Sequence, residues 1–161
     1  MSRRESDRED LLREATALVE RAEVSVPGYN DPIVAGFRKD GSASFYFSAD
    51  LVCQFNAAGE LRRAYVASLL YKAERGRLVA LRRQRSDTEV ALVRSALDDA
   101  ESTALVETLR HHLCQLRTAL ASGSCTLRGQ VPPQGNILGR IQTWLAALPP
   151  TIPIARAPNV R

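Results

Sequence analysis

The hydrophobic residues of this chain recur with two different periods, and the change between them separates helices from strands. Near the start, the apolar positions that share the spacing of one helix face are Leu11, Leu12, Ala15, Leu18, Val19 and Ala22. This spacing predicts a helix over residues 6–24 that is capped by Ser6, with Glu9 completing a capping box. Turn-forming residues at 25–32 are expected to end the helix.

From residue 33 the period shortens to two, which is typical of strands. Glycine-containing turns at 39–42, 57–60 and 74–77 separate short alternating runs. The pattern predicts an antiparallel meander of about six or seven strands that ends near residue 97.

Loops at 57–60 and 67–68 fix the pairing of three of these strands, because they place Cys53 opposite Ala64 and Ala64 opposite Tyr71. One face, expected to form the core, collects Leu51, Cys53, Phe55, Ala64, Val66, Leu69, Tyr71 and Ala73, with Arg62 as the single charge near its edge. The other face, expected to be open, collects Val52, Gln54, Asn56, Leu61, Arg63, Tyr65, Leu70 and Lys72. Burial on one side only is normal for an antiparallel sheet.

Two more helices are expected after the meander. Residues 98–122 carry a leucine stripe formed by Leu105, Leu109, Leu113, Leu116 and Leu120. Asp98 and Glu101 are suited to cap the start of this helix, and Gly123 is suited to end it. A loop or a short strand is expected to follow, and then a shorter amphipathic helix over 136–148.

These elements predict an α+β fold in which the meander is covered on one face by the N-terminal helix and the long helix, with a short C-terminal helix added. The length of 161 residues is that of about one domain. We therefore expect one domain over residues 1–148 and a Pro-rich tail over 149–161 that is extended or disordered.

The positive charge is concentrated in one stretch. Residues 55–85 contain seven Arg and one Lys against two Glu, whereas the whole chain has a formal net charge of +4. The open sheet face and its turns would hold the residues that we select as a candidate polyanion-binding set: Arg63, Tyr65, Lys72, Arg75 and Arg77. The alternative interpretation is a solvated face whose charges keep the sheet edges from aggregating.

No sequence motif predicts catalysis. The chain lacks nucleophile-elbow and phosphate-binding glycine motifs, and its carboxylates cluster at helix starts, where the helix dipole favours them. His111 and Cys114 share a helix face, but two ligands do not make a structural metal site. We therefore predict no catalytic residue, no cofactor, no metal and no enzymatic activity.

The function expected from these observations is that of a small interaction or adaptor domain with an unknown protein partner. Its candidate partner surface is the apolar side of the last helix, formed by Ile137, Ile141, Trp144 and Leu148. The alternative function is nucleic-acid binding through the basic face at residues 62–85. Because no apolar run is long enough for a leader or a membrane span, and the three cysteines are not spaced as pairs, we expect a cytoplasmic protein with no membrane contact.

The run FNAAGELRRAY, followed by LYKAERGRLVALRR, resembles small uncharacterised bacterial proteins that share a Gly-containing turn before an Arg-rich strand. The resemblance spans about residues 45–120 and implies no activity, cofactor or partner.

Overall fold

The computed structural model of the chain describes residues 3–85, 88–128 and 134–156. Within this part of the chain there are three helices: α1 (Arg3–Thr16), α2 (Asp99–Ser122) and α3 (Gln134–Ala146). The strands are β1 (Glu20–Ser25), β2 (Ile33–Phe37), β3 (Ala43–Ser48), β4 (Leu51–Phe55), β5 (Leu61–Val66), β6 (Leu69–Glu74), β7 (Arg77–Arg85), β8 (Val90–Ala96) and β9 (Thr126–Arg128).

All strands join one antiparallel sheet in the order β8-β7-β6-β5-β4-β3-β2-β1-β9. The predicted α+β class and the antiparallel meander are therefore confirmed. The predicted number of six or seven strands is too low, because the described residues form nine. The additional strands are β1, which lies inside the predicted first helix, and β9, where either a loop or a short strand was expected.

The first helix is shorter than predicted. It ends at Thr16, Ser6 lies within it rather than at its start, and Val19 is 68% exposed. Residues after 19 pair with β2 instead, and Ala22 and Val24 become buried with a period of two. Gly36 permits this pairing, because a Cβ atom there would lie only 2.2 Å from the carbonyl oxygen of Glu20.

The predicted register of the central strands is confirmed, with Cys53 opposite Ala64 and Ala64 opposite Tyr71. It differs at one end, where a register shift places Leu61 opposite Phe55. A shift of one residue moves a side chain to the other face of a sheet. Leu61 is therefore fully buried in the main core, although the sequence pattern placed it on the open face.

The two faces of the sheet are covered by different helices, and the face covered by α2 and α3 contains the main core. We call it the α2 face; it includes Phe45, Phe47, Cys53, Phe55 and Ala64. The predicted stripe of α2 is buried in the same cluster, as expected for Leu109 and Leu113 in particular.

The opposite face, which we call the α1 face, includes Val52, Gln54, Arg63, Tyr65, Leu70 and Leu81. Leu11 and Ala15 of α1 pack there on Val52, Tyr65, Leu70 and Leu81, in a second and smaller cluster. The prediction that α1 and α2 cover the same face is thus wrong, and the fold has three layers. The reason is that the supposedly open face carries enough apolar surface to bury a short helix.

The predicted signals at the ends of α2 are confirmed. Asp98 accepts a hydrogen bond from the Glu101 backbone, the Glu101 side chain accepts one from the Asp98 backbone, and Gly123 takes the left-handed conformation with φ 72°.

The segment after α3 is extended but packs on the fold through residue 156. Leu61 donates a backbone hydrogen bond to Pro153 and accepts one from Ala155, which forms a parallel bridge beside β5. Ile152 and Ala155 are buried in the main core. The predicted domain end at residue 148 is therefore too early, and residues 157–161 lie outside the described part of the chain.

Candidate binding site

Two members of the predicted polyanion-binding set are covered by α1 and are not available to a ligand. Tyr65 is 5% exposed and Arg63 is 6% exposed. The Arg8 guanidinium of α1 lies 4.9 Å from the centre of the Tyr65 ring. The expectation that these two side chains face solvent is therefore wrong, because α1 folds back over them.

Arg63 is held by a polar network inside this layer. Its Nε and Nη2 atoms donate to Gln54 Oε1 at 3.0 and 2.8 Å, and its guanidinium forms an ion pair with Glu14 of α1. A buried charge is tolerated only when it is paired and hydrogen-bonded. Arg63 therefore links α1 to the sheet through its ion pair with Glu14.

Arg38 forms a second connection between α1 and the sheet. It donates to Ser44 Oγ at 2.6 Å, to Ser42 Oγ at 3.2 Å and to the backbone oxygen of Glu14 at 2.5 Å. Burial lowers the pKa of Arg38, and the nearby Glu14 carboxylate opposes that shift. A cation at the last turn of a helix is also favoured by the helix dipole.

One row of positions on the α1 face crosses the sheet and is polar from Ser44 to Lys72. The register pairs Ser44 with Gln54, Gln54 with Arg63, Arg63 with Lys72, Lys72 with Val79 and Val79 with Ala96. The first part of this row is buried, because Ser44, Gln54 and Arg63 all are. The row becomes accessible at Lys72.

The other three members of the predicted set meet at this accessible end. Lys72, Arg75 and Arg77 line a cavity of about 590 Å³ together with Ala73, Glu74, Val79 and Ala96. We call this cavity the basic basin. Among its described lining residues Glu74 is the acidic one, and the Glu74 carboxylate is paired with Arg94. The basin therefore presents cations around a partly apolar floor.

The β6–β7 turn determines where two of these cations lie. Arg75 and Gly76 both have positive φ angles, 55° and 81°, as a two-residue hairpin turn requires. Arg75 lies in the turn and Arg77 directly follows it, and both are exposed. Positive φ is unfavourable for a residue other than glycine, so Arg75 carries a backbone cost that a Gly or Asn would avoid.

Two further arginines near the basin were not selected from the sequence. Arg94 of β8 reaches Glu74, and Arg156 of the C-terminal segment lies beside Gly76, whose N–H donates to Ala155 O at 3.0 Å. Arg94 could have been found from the sequence, because the alternating pattern of β8 places it on the opposite face from Val93. No local signal pointed to Arg156, since its position depends on the parallel bridge of the tail.

The predicted partner surface on α3 is buried, because Ile137, Ile141 and Leu148 belong to the main core. Trp144 is partly buried, with its ring 5.1 Å from the ring of Phe45 and 5.0 Å from that of Phe55. α3 therefore uses its apolar side to close the α2 face, and that surface is not available to a partner.

A groove of about 650 Å³ runs between α2 and α3, and its described lining is half apolar and half polar. The polar lining residues are Arg117, Thr118, Ser122 and Gln142, and Arg117 is the charged one among them. Among the described residues no three His, Cys, Asp or Glu side chains are grouped as metal ligands.

The cysteines and histidines are separate from the basin. Cys53 is buried in the core, and burial raises the pKa of its thiol. Cys114 is partly buried, with its Sγ 3.5 Å from an Arg117 nitrogen, and Cys125 is also partly buried. His112 Nδ1 lies 2.7 Å from the hydroxyl oxygen of Tyr29.

Comparison with protein-family models, curated proteins and solved structures found no match to this chain. The resemblance to small bacterial proteins therefore stays a prediction. Among the residues described, none of the helices combines the length and apolar character needed to cross a bilayer.

Proposed function

We propose that this chain is a small non-enzymatic interaction domain that binds an acidic segment of a protein partner in the basic basin. The observation that carries the proposal is the convergence of Lys72, Arg75 and Arg77 on one cavity, where Glu74, the acidic residue of the described lining, is paired with Arg94. The excess of positive charge favours a ligand with carboxylates.

The floor of the basin supports a peptide rather than a nucleic acid. Val79 and Ala96 offer small apolar contacts, whereas the Ala73 side chain belongs to the main core, and no aromatic side chain among the described residues lines the cavity. Binding of single-stranded nucleic acid relies on bases stacked on aromatic rings, and the ring selected for that role, Tyr65, is buried under α1. Acidic residues alternating with small apolar ones would match both the rim and the floor.

Nucleic-acid binding remains the second candidate, because the same cations would also hold phosphates. A cytoplasmic location belongs to the proposal as well. It is supported by the three cysteines, which are all described and form no disulfide.

The test measures binding of three labelled probes by fluorescence anisotropy at about 0.15 M salt. The probes are a peptide of alternating Glu and Ala, a matching peptide of alternating Lys and Ala, and a single-stranded oligonucleotide of mixed sequence. We expect the Glu peptide to bind and the Lys peptide not to bind. The double variant Arg75→Gln/Arg77→Gln should weaken binding of the Glu peptide about two- to thirtyfold, since exposed charge pairs contribute about 0.2–1 kcal/mol each.

The matched control is Arg128→Gln, which removes an exposed cation from β9 at the far edge of the sheet. It should bind the Glu peptide like the unmodified chain. Tight binding of the oligonucleotide, with a salt slope that falls by about 1.4 to 2 in the double variant, would replace the peptide proposal with nucleic-acid binding. Equal binding by the double variant and the unmodified chain would rule out the basin for either ligand.

A further inference from the structure

The two edges of the sheet are protected very differently. β9 at one edge has three residues, whereas β8 at the other has seven and pairs only with β7 among the described strands. Exposed edges are usually blocked by shortness, proline, lysine or a bulge. β8 contains neither proline nor lysine, and its pairing with β7 is continuous from Val90 to Ala96. Among the described residues, therefore, no strand pairs with the outer edge of the β8 backbone.

The hydrogen-bond pattern identifies which backbone groups are available. The Leu97 N–H donates to Leu78 O at 2.9 Å, across the next step of the β7–β8 register. In an antiparallel ladder the residues alternate between pointing toward and away from the partner strand. Ala91, Val93 and Ser95 therefore direct their backbone groups toward β7. The residues whose backbone groups point outward are Val90, Leu92, Arg94 and Ala96.

The side chains described along β8 do not obstruct pairing. Ala91, Ser95 and Ala96 are small, and Val93 is half-buried. The single charge of the strand, Arg94, is engaged by Glu74, which lies two strands further into the sheet. The cation that would otherwise repel an approaching strand is thus already paired.

We propose that β8 is an interface between two copies of this chain, paired antiparallel about a two-fold axis at Val93. This register places Val90 opposite Ala96 of the second copy and Leu92 opposite Arg94 of the second copy. Every outward backbone group then meets another outward group, which gives about eight hydrogen bonds across the seam. No two like charges face each other, whereas centring the axis on Arg94 would oppose two guanidinium groups.

A second copy is a suitable occupant because the two-fold pairing matches every outward backbone group and sets Arg94 opposite Leu92 rather than opposite another cation. The pairing extends the sheet, so both basic basins lie on the same side of it. One partner with two acidic segments would then be able to bind both. This last consequence rests on the proposed function, whereas the pairing does not.

The test is the mass of the chain in solution, measured by sedimentation equilibrium over a dilution series. We expect the unmodified chain to reach twice 17.7 kDa. Val93→Lys should give a monomer, because two ammonium groups would oppose each other at the axis, and Val93→Glu should do the same with two carboxylates. Mixing the two variants should restore the dimer, because opposite charges would then meet.

Ala104→Lys is the matched control, since it adds the same charge at an exposed position of α2, and it should remain dimeric. Circular dichroism verifies that each variant is folded. Three outcomes would overturn the proposal: an unmodified chain that is monomeric throughout, a Val93→Lys variant that still dimerises, or folded variants that fail to combine. Because the readout is mass and not ligand binding, its failure is distinct from failure of the basic basin.

Discussion

The two faces of the sheet are closed by different forces. On the α2 face, Phe45, Phe47 and Phe55 pack against the leucines of α2 in an apolar cluster. On the α1 face, a small apolar cluster lies beside buried Arg63, whose charge requires specific hydrogen-bond and ion-pair partners. Apolar burial is non-directional, whereas a buried ion pair has a defined geometry. The packing of α2 therefore depends mainly on how much apolar surface it buries, whereas the packing of α1 also depends on the exact placement of the atoms that pair with Arg63.

The α1 face also links the structural and the candidate binding residues. The row that begins with buried Ser44 and Gln54 continues through Arg63 to Lys72 at the edge of the basic basin. α1 covers the first part of this polar row, and the basin is the part that it leaves open. The basic basin therefore lies beside the network that holds α1.

The largest effect is expected on the α2 face, from Leu109→Asp. Leu109 is fully buried, so the variant places an unpaired carboxylate in the main core. We expect it to lower the free energy of unfolding by at least about 3 kcal/mol, as measured by urea denaturation. Ala104→Asp, at an exposed position of the same helix, should cost less than about 1 kcal/mol. Equal stability of the Leu109 variant and the unmodified chain would contradict the packing of α2.

An intermediate effect is expected on the α1 face, from Glu14→Gln. This change removes the countercharge of buried Arg63 and should cost about 1–3 kcal/mol in urea denaturation. Asp10→Asn is the matched control, because its pair with Arg13 is on the same helix but exposed, and it should cost less than about 0.5 kcal/mol.

The double variant Glu14→Gln/Arg63→Met sharpens the same comparison. If the two side chains depend on each other, the cost of the double variant will be smaller than the sum of the two single costs. Additive costs would mean that Arg63 is stabilised by Gln54 alone, and that Leu11, Ala15 and the Arg38 contact hold α1 rather than the ion pair.

Most of the sheet could be predicted because its signals are local. The Gly-containing turns and the period of two fixed seven of the nine strands, and the length of two loops fixed the central register. The shift at Leu61 could not be predicted, because nothing local marks where a strand absorbs one extra residue. β1 was missed because Ala22 fits both a helical spacing and an alternating one, and only its pairing with β2 decides between them.

The candidate site was only half predictable for the same reason. Lys72, Arg75 and Arg77 lie at a hairpin turn, and local sequence places them correctly at the surface. The burial of Arg63 depends on Glu14, which is 49 residues earlier in the chain. A signal was present, since Val52, Tyr65 and Leu70 give the supposedly open face more apolar surface than a solvated face needs.

The smallest effect is expected at the edge of the α2 face, where His112 Nδ1 lies 2.7 Å from the Tyr29 hydroxyl oxygen and the His112 ring packs on Phe47, with 5.6 Å between the ring centres. Burial lowers the pKa of His112, and nearby His111 adds to the shift. Burial also raises the pKa of Tyr29.

Because the folded chain binds this proton less readily than the unfolded chain, the contribution of His112 is complete above a pH of about 6.5 and is lost as the pH falls toward the lowered pKa. We expect the melting temperature to fall as the pH is lowered from about 7 to 5.5, a range that lies above the pKa values of most carboxyl groups.

His112→Gln should reduce this fall in melting temperature, whereas His111→Gln, at an exposed position, should keep most of it. Solvent screens the partly exposed His112, so the loss of stability on its protonation should be smaller than the losses caused by the Leu109 and Glu14 variants. An identical pH profile in His112→Gln and the unmodified chain would mean that the pH dependence arises elsewhere, and that the Tyr29 contact contributes nothing to closing this face.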